Sequence, residues 1–273
     1  MKVDVIIYSK NRALQLDMLL RSINKYFVNV GKVFVLNDFS GEKHYKSYQK
    51  IWNKNYGLDI EFITQTRKTF YDVMIGVVDK INADYILPFC DDDLFIRETD
   101  IKDKVKQLND DIVGLCFRRC PTLGNSYHTG KPIPVPNFTK TDGVYKWKWV
   151  GAFPSRWGYP YQAGGMVYDT KFFKHIMHNI KFDLPNYLES QMMQNKEKWG
   201  RNHVMCLEKT PIVNVSVNRV QNEVKNRGGR DVNYSVDDLV DIFLNGKVVS
   251  IDDLHNYNNN CEFIEVPLNF VEE

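Results

Sequence analysis

The sequence predicts an α/β protein: a mostly parallel central sheet flanked by helices. Two observations predict it. Short apolar, β-rich runs at residues 3–8, 32–36, 59–64 and 85–90 alternate with longer stretches of helical periodicity. That alternation implies right-handed crossovers and parallel pairing. The run at 85–90 then ends abruptly in Asp91, Asp92 and Asp93, at the carboxyl end of a strand, where open α/β sheets form their ligand crevice.

Taken in order, the first strand (3–8) leads through the turn Ser9-Lys10-Asn11-Arg12 into a helix whose Leu16, Leu19, Leu20, Ile23 and Phe27 share one face. The second strand (32–36) runs into Asn37-Asp38-Phe39-Ser40-Gly41. A helix over 45–55 and a strand over 59–64 follow. Phe70, Val73, Met74, Val77, Val78 and Ile81 then form the cleanest helical stripe, leading to the strand at 85–90. Thr99 is placed to cap a short helix carrying Ile101, Val105 and Leu108, before a strand at 111–117. Residues 121–160, rich in proline and aromatic residues, read as a long loop or a pair of hairpins, and loops of that length are usually functional. Strands at 165–168, 203–207 and 211–217 enclose a helix from Thr170 and another opened by Asn186-Tyr-Leu-Glu189 that ends near Gly200. A basic loop occupies 218–231, with Arg219, Lys225, Arg227 and Arg230. Ser235 opens a capping box for a helix through Leu244, and 261–266 forms a last edge strand.

Composition narrows the function classes. With 43% hydrophobic and 26% charged residues among 273, the chain can bury a sizeable core as one large domain, or one with an appendage. A net charge of +2, from 36 basic and 34 acidic residues, argues against a nucleic-acid partner or a membrane-surface binder. No apolar segment approaches the ~18 to 20 residues of a transmembrane span, and Met1-Lys2-Val3-Asp4-Val5 reads as a strand rather than a signal peptide. The five cysteines lack paired CxxC spacing, so a reducing, cytoplasmic setting is expected.

Three adjacent carboxylates repel one another, and a hard divalent cation is the natural partner for carboxylate oxygens at a strand end. The order of the opening turn at 6–12, the turn at 35–40, and the amphipathic helix feeding Ala83-Asp-Tyr-Ile-Leu-Pro-Phe-Cys-Asp91-Asp-Asp93 resembles the nucleotide-binding half of GT-A-fold glycosyltransferases. Those similar to glycosyltransferase family 2 match best. The resemblance continues through Ala163-Gly-Gly-Met-Val-Tyr168 and Tyr187-Leu-Glu189 and covers about residues 3–220. It implies a Rossmann-like GT-A sandwich with a nucleotide-sugar-binding half at 1–110, an acceptor-binding and catalytic half at 111–232, and a C-terminal extension at 233–273.

The resemblance further implies a donor linked to UDP, GDP or dTDP, held by Tyr8, Ser9, Asn11, Arg12, Asn37, Asp38, Arg67, Asp91 and Asp92. Either Asn37 or Asp38 would read the base, since the usual acidic pair is Asn-Asp here. Asp91 and Asp93 would hold Mn2+ or Mg2+ on the diphosphate, with Asp92 turned away. Glu189 would be the general base of an inverting transfer, although Asn186 and Glu189 also have the spacing of a helix cap. Gly164 and Gly165 would lie on the acceptor side. The aromatic residues Trp147, Trp149, Phe153, Trp157, Tyr159 and Tyr161 suit the apolar faces of a carbohydrate acceptor, with Trp157 and Tyr159 foremost; the alternative is a small core for their own loop. The basic loop could close over the diphosphate or stay solvated. Two other function classes remain in view: a sugar-nucleotide nucleotidyltransferase, whose Gly-rich loop after the first strand is missing here, and a non-catalytic carbohydrate-binding protein on the same scaffold.

Overall fold

The computed structural model describes residues 1–152, 155–221, 223 and 227–273. Its first half follows the predicted alternation: β1 (Val3–Lys10), α1 (Ala13–Tyr26), β2 (Val30–Asp38), α2 (Gly41–Trp52), β3 (Ile60–Thr64), α3 (Phe70–Lys80), β4 (Tyr85–Cys90) and the short β5 (Asp93–Phe95). Next come β6 (Ile112–Cys116), β7 (Thr139–Thr141), β8 (Val144–Lys148), β9 (Met166–Asp169), α4 (Thr170–His178), α5 (Pro185–Gln194), β10 (His203–Leu207) and β11 (Ile212–Val215). The chain closes with α6 (Val236–Leu244), β12 (Lys247–Val249), β13 (Phe263–Ile264) and β14 (Phe270–Glu272).

The main sheet has the order β3-β2-β1-β4-β9-β6-β10-β8-β7. Its first four strands are parallel; β9 runs antiparallel to both β4 and β6. From β1 the chain moves to β2 on one side and later returns to β4 on the other. The β1/β4 boundary is therefore a switch point, and their carboxyl ends open a crevice. Alternation along β1 fixes the two faces: Val3, Val5 and Ile7 enter one apolar cluster, Ile6 and Tyr8 the other. Leu16, Leu19, Leu20 and Ile23 of α1, and Phe27 just after it, are all buried.

Several elements differ from expectation. Thr99 caps no helix: its N–H donates to the Tyr26 carbonyl at 2.7 Å, and it bridges to Phe27 in extended form. Only a 3-10 turn, Val105–Gln107, remains of that helix. Among the described residues of 121–160 there is one strand hairpin, β7–β8, closed by Asp142 and Gly143, both at positive φ. It joins the main sheet through β10. A separate three-stranded sheet, β13-β11-β5, ties the C-terminal segment to the aspartate turn. Leu239, Phe243, Val248 and Ile264 of that segment share a core cluster with α1 and β1. Among the described residues no helix is long and apolar enough to cross a membrane.

Candidate active site

A cleft of about 430 Å³ lies over the carboxyl ends of β1, β2 and β4. Its floor is built where β4 stops. Cys90 ends the strand, Asp91 and Asp92 form the turn, and Asp93 already belongs to β5, opposite Asn214 of β11. The three carboxylates therefore go different ways. Asp91 accepts from Lys10 N at 3.1 Å and from Arg12 Nη1 at 3.1 Å. Asp92 accepts from the same Nη1 at 2.8 Å and from Asn214 Nδ2 at 2.6 Å. Both line the cleft.

Asp93 is fully buried and does not line it. Its oxygens take Arg118 Nε at 3.1 Å, Arg118 Nη2 at 2.8 and 2.6 Å, Cys90 N at 3.0 Å and Asn214 Nδ2 at 3.1 Å. This reverses the expected orientation: Asp92 faces the cleft and Asp93 is turned away, because Asp93 is already part of β5 and pairs with Asn214 of β11. Gly165, at φ +75°, and Gly164 make room for Arg118. A Cβ at Gly165 would sit 2.9 Å from Arg118 Cγ, and one at Gly164 2.9 Å from Nη2. Neither glycine lines the cleft on the acceptor side.

Burial pushes the Asp91 carboxyl up to about 6, with Arg12 pulling down and Asp92 pushing up. The donor set suits a divalent cation only narrowly. Asp93 has its oxygens occupied, and among the described residues no three His, Cys, Asp or Glu side chains gather as ligands. One or two carboxylates completed by phosphate oxygens and water is nevertheless the usual set for Mg2+. Asp91 and Asp92 fit that minimum, in place of the expected Asp91 and Asp93.

The rest of the donor end is mixed. Tyr8, Ser9 and Arg12 line the cleft, with Ser9 Oγ 2.6 Å from Tyr48 Oη. Of the pair after β2, Asp38 lines the cleft and pairs with Lys10 at 3.0 Å. Asn37 is buried, bonded to Thr64, and does not reach it. Asn11, at φ +56°, holds the turn by exchanging two 2.8 Å hydrogen bonds with Ser40 and lies outside the lining. Arg67 lines the cleft and pairs with Asp183 and Glu223. Three buried cleft-lining atoms have no partner among the described residues: Gln65 Oε1, Arg12 Nε and Asn218 Nδ2. Gln65 was not singled out from the sequence, and a lone glutamine after a strand gives no signal that could have done so.

Across the cleft stands Glu189 in the first turns of α5. That helix starts with Leu184 as N-cap and Pro185 at its first position, so the Asn186–Glu189 cap spacing is unused. Glu189 Oε2 instead accepts from Ala163 N at 2.8 Å. Tyr127, His128, Arg156, Tyr159 and Phe263 complete this wall. Tyr159 faces the cleft, whereas Trp157 packs edge-on against Trp147 and Phe138, almost fully buried and outside the cleft. Among the described residues, Trp147, Trp149, Trp157 and Tyr161 thus join the core cluster of Ile6, Val113 and Met166, and Tyr159 faces the cleft. Phe153 and Lys225 lie outside the described residues. Of the basic loop, Arg219 and Gly228 line the cleft, and Asn218 is held by Arg12 Nη2 at 2.7 Å and Gln15 at 3.0 Å.

The fold, a largely parallel sheet with its cleft at the β1/β4 switch point, is of the type found in GT-A glycosyltransferases. Particular relatives agree. The chain is similar to the bifunctional glycosyltransferase pgtA of Dictyostelium discoideum, 27% identical over 283 residues. The match takes in 90% of this chain and 36% of pgtA, so the chain spans about a third of that relative's length. No protein-family model matches it. Among solved structures, S. aureus TarS superposes on 76% of the chain and 35% of TarS, at 19% identity and a TM-score of 0.50. Residues 1–349 of TarS in complex with UDP-GlcNAc match 83% of the chain and 60% of that fragment, at 17% identity and the same TM-score.

Proposed function

We propose that the protein moves a sugar from a nucleotide-sugar donor to a carbohydrate acceptor, with inversion and with the help of Mn2+ or Mg2+. The observation that carries this reading is one continuous cleft lined by Asp38, Asp91 and Asp92 together with Glu189. The base would lie beside Asp38 and Gln65, where the unpartnered Gln65 Oε1 can accept an N–H. The diphosphate would lie over Asp91 and Asp92, where Arg12 Nε and Asn218 Nδ2 are donors in want of an acceptor. The pgtA likeness supports transferase chemistry, and the UDP-GlcNAc complex of TarS makes a uridine donor the first to try.

When bound, the cation supplies Lewis-acid stabilisation of the departing diphosphate. Asp91 and Asp92 would hold it, and Arg12, which now neutralises both, would turn to the phosphates. The acceptor hydroxyl oxygen forms its bond to the anomeric carbon as the bond to the diphosphate oxygen breaks. The leaving diphosphate takes the electron pair, and Glu189 takes the acceptor proton. Tyr159 offers a ring face to the acceptor sugar.

The test is nucleoside diphosphate release from a panel of UDP-, GDP- and dTDP-sugars, with and without Mn2+. Release that depends on the cation with at least one donor is expected. If no donor is bound or turned over, the reading is wrong.

A further inference from the structure

Glu262 lies outside the cleft yet governs its acceptor wall. It is 4% exposed and is clamped by two arginines. One is Arg119, itself almost fully buried; the other is Arg156, whose Nε lies 2.7 Å from Glu262 Oε2. Burial alone would push such a carboxyl up, but the two guanidinium groups hold it at about 2, so it stays ionised. Both arginines then reach one residue. Arg119 Nη1 donates to the Tyr159 carbonyl at 2.9 Å, and the Arg156 guanidinium lies over the Tyr159 ring, 5.2 Å from its centroid. Arg156 also covers the ring of Phe263, the residue after Glu262, at 5.7 Å.

Tyr159 is held at its backbone by one arginine and at its ring by the other. Tyr159 and Glu189 both line this wall of the cleft. Four residues further on, Ala163 N donates to the same carboxylate at 2.8 Å. The segment 159–163 therefore holds Glu189 through Ala163, while Arg119 and Arg156, both paired with Glu262, fix the segment's other end at Tyr159.

We infer that Glu262 is a positioning residue for the transfer reaction: through Arg119 and Arg156 it sets Tyr159, and through the segment from Tyr159 to Ala163 the Glu189 carboxylate, on the acceptor wall of the cleft. The C-terminal segment is then part of the active site's support rather than an appendage. This inference rests on the reading of Glu189 as the base.

The experiment measures turnover as nucleoside diphosphate release, using the nucleotide sugar that is released fastest, and binding of UDP or the matching diphosphate by calorimetry. Arg156→Ala is the main variant, because it leaves the Glu262–Arg119 pair in place; Glu262→Gln accompanies it. A displacement of this kind is expected to lower kcat roughly ten- to a hundredfold, with diphosphate Kd changed by less than about twofold, since the lost contacts are on the transfer side. Added methylguanidinium should restore part of the Arg156→Ala turnover, which a merely misfolded variant would not show. Wild-type kcat in Arg156→Ala, or a loss that methylguanidinium leaves untouched, overturns the inference. Wild-type kcat in Glu189→Gln instead overturns the base assignment beneath it.

Discussion

Replacing Asp92 and Asp93 separately by asparagine should give opposite outcomes. Asp93→Asn removes the charge from a fully buried carboxylate that pairs with Arg118, itself only 5% exposed. The amide cannot accept the forked guanidinium and the Cys90 and Asn214 N–H groups together, so Arg118 is left as an under-compensated buried cation. Breaking one side of such a pair costs about 3–5 kcal/mol, a large share of the ~5–15 kcal/mol that holds a typical domain folded. Asp92→Asn, at the cleft surface, leaves Arg12 paired with Asp91 at 3.1 Å and relieves repulsion between neighbouring carboxylates. Its stability should change by no more than about 1 kcal/mol. Urea unfolding of both variants, with calorimetric titration of UDP and Mn2+, reads the two effects. Asp93→Asn should unfold at much lower urea with binding weakened only through instability, and Asp92→Asn should stay folded while losing cation-dependent binding. A folded Asp93→Asn that has lost the cation, beside an Asp92→Asn that keeps it, would refute the orientation described for this turn.

Other outcomes follow from the same geometry. Glu189→Gln should keep diphosphate binding and lower kcat by roughly 10²- to 10⁴-fold, the usual worth of a general base; single-turnover kinetics would expose near wild-type chemistry if Glu189 has another role. Gly165→Ala should destabilise by ~1–3 kcal/mol, because the site combines positive φ with a Cβ 2.9 Å from Arg118 Cγ; thermal unfolding that matches wild type would contradict this. Glu262 has a folded pKa of about 2 against an ordinary 4.5. Its contribution, about 3 kcal/mol by linkage, is therefore complete above pH ~4.5 and drains away as pH falls toward 2. Acid titration followed by circular dichroism should show wild type losing stability across that window, and Glu262→Gln, already lacking this contribution, changing less there.

Much of the parallel half was legible because apolar period and strand-end polarity act locally. The stripe from Phe70 to Ile81 and the run at 85–90 became α3 and β4 with small boundary shifts. The reading failed where a distant partner decides the outcome. Thr99 looks like a cap until Phe27 and Tyr26 pull it into a bridge. Asp92 and Asp93 are alike in sequence, and only β11, more than a hundred residues away, draws Asp93 into β5 and offers Asn214. Arg118 and Arg119 stand directly after an apolar strand, a hint that charge is being taken inward, but their partners Asp93 and Glu262 lie at unrelated distances along the chain. Trp157 was read by residue type alone, and type cannot tell a ring that faces a sugar from one that faces Trp147.

The most direct single measurement is a crystal structure of the protein soaked with UDP and Mn2+. The account predicts the base between Asp38 and Gln65, the diphosphate over Asp91 and Asp92 with the cation on that pair, Arg12 turned to the phosphates, and Glu189 still held by Ala163 N in the cleft wall. Nucleotide bound elsewhere, or a cation coordinated by Asp93 with Arg118 displaced, would contradict it.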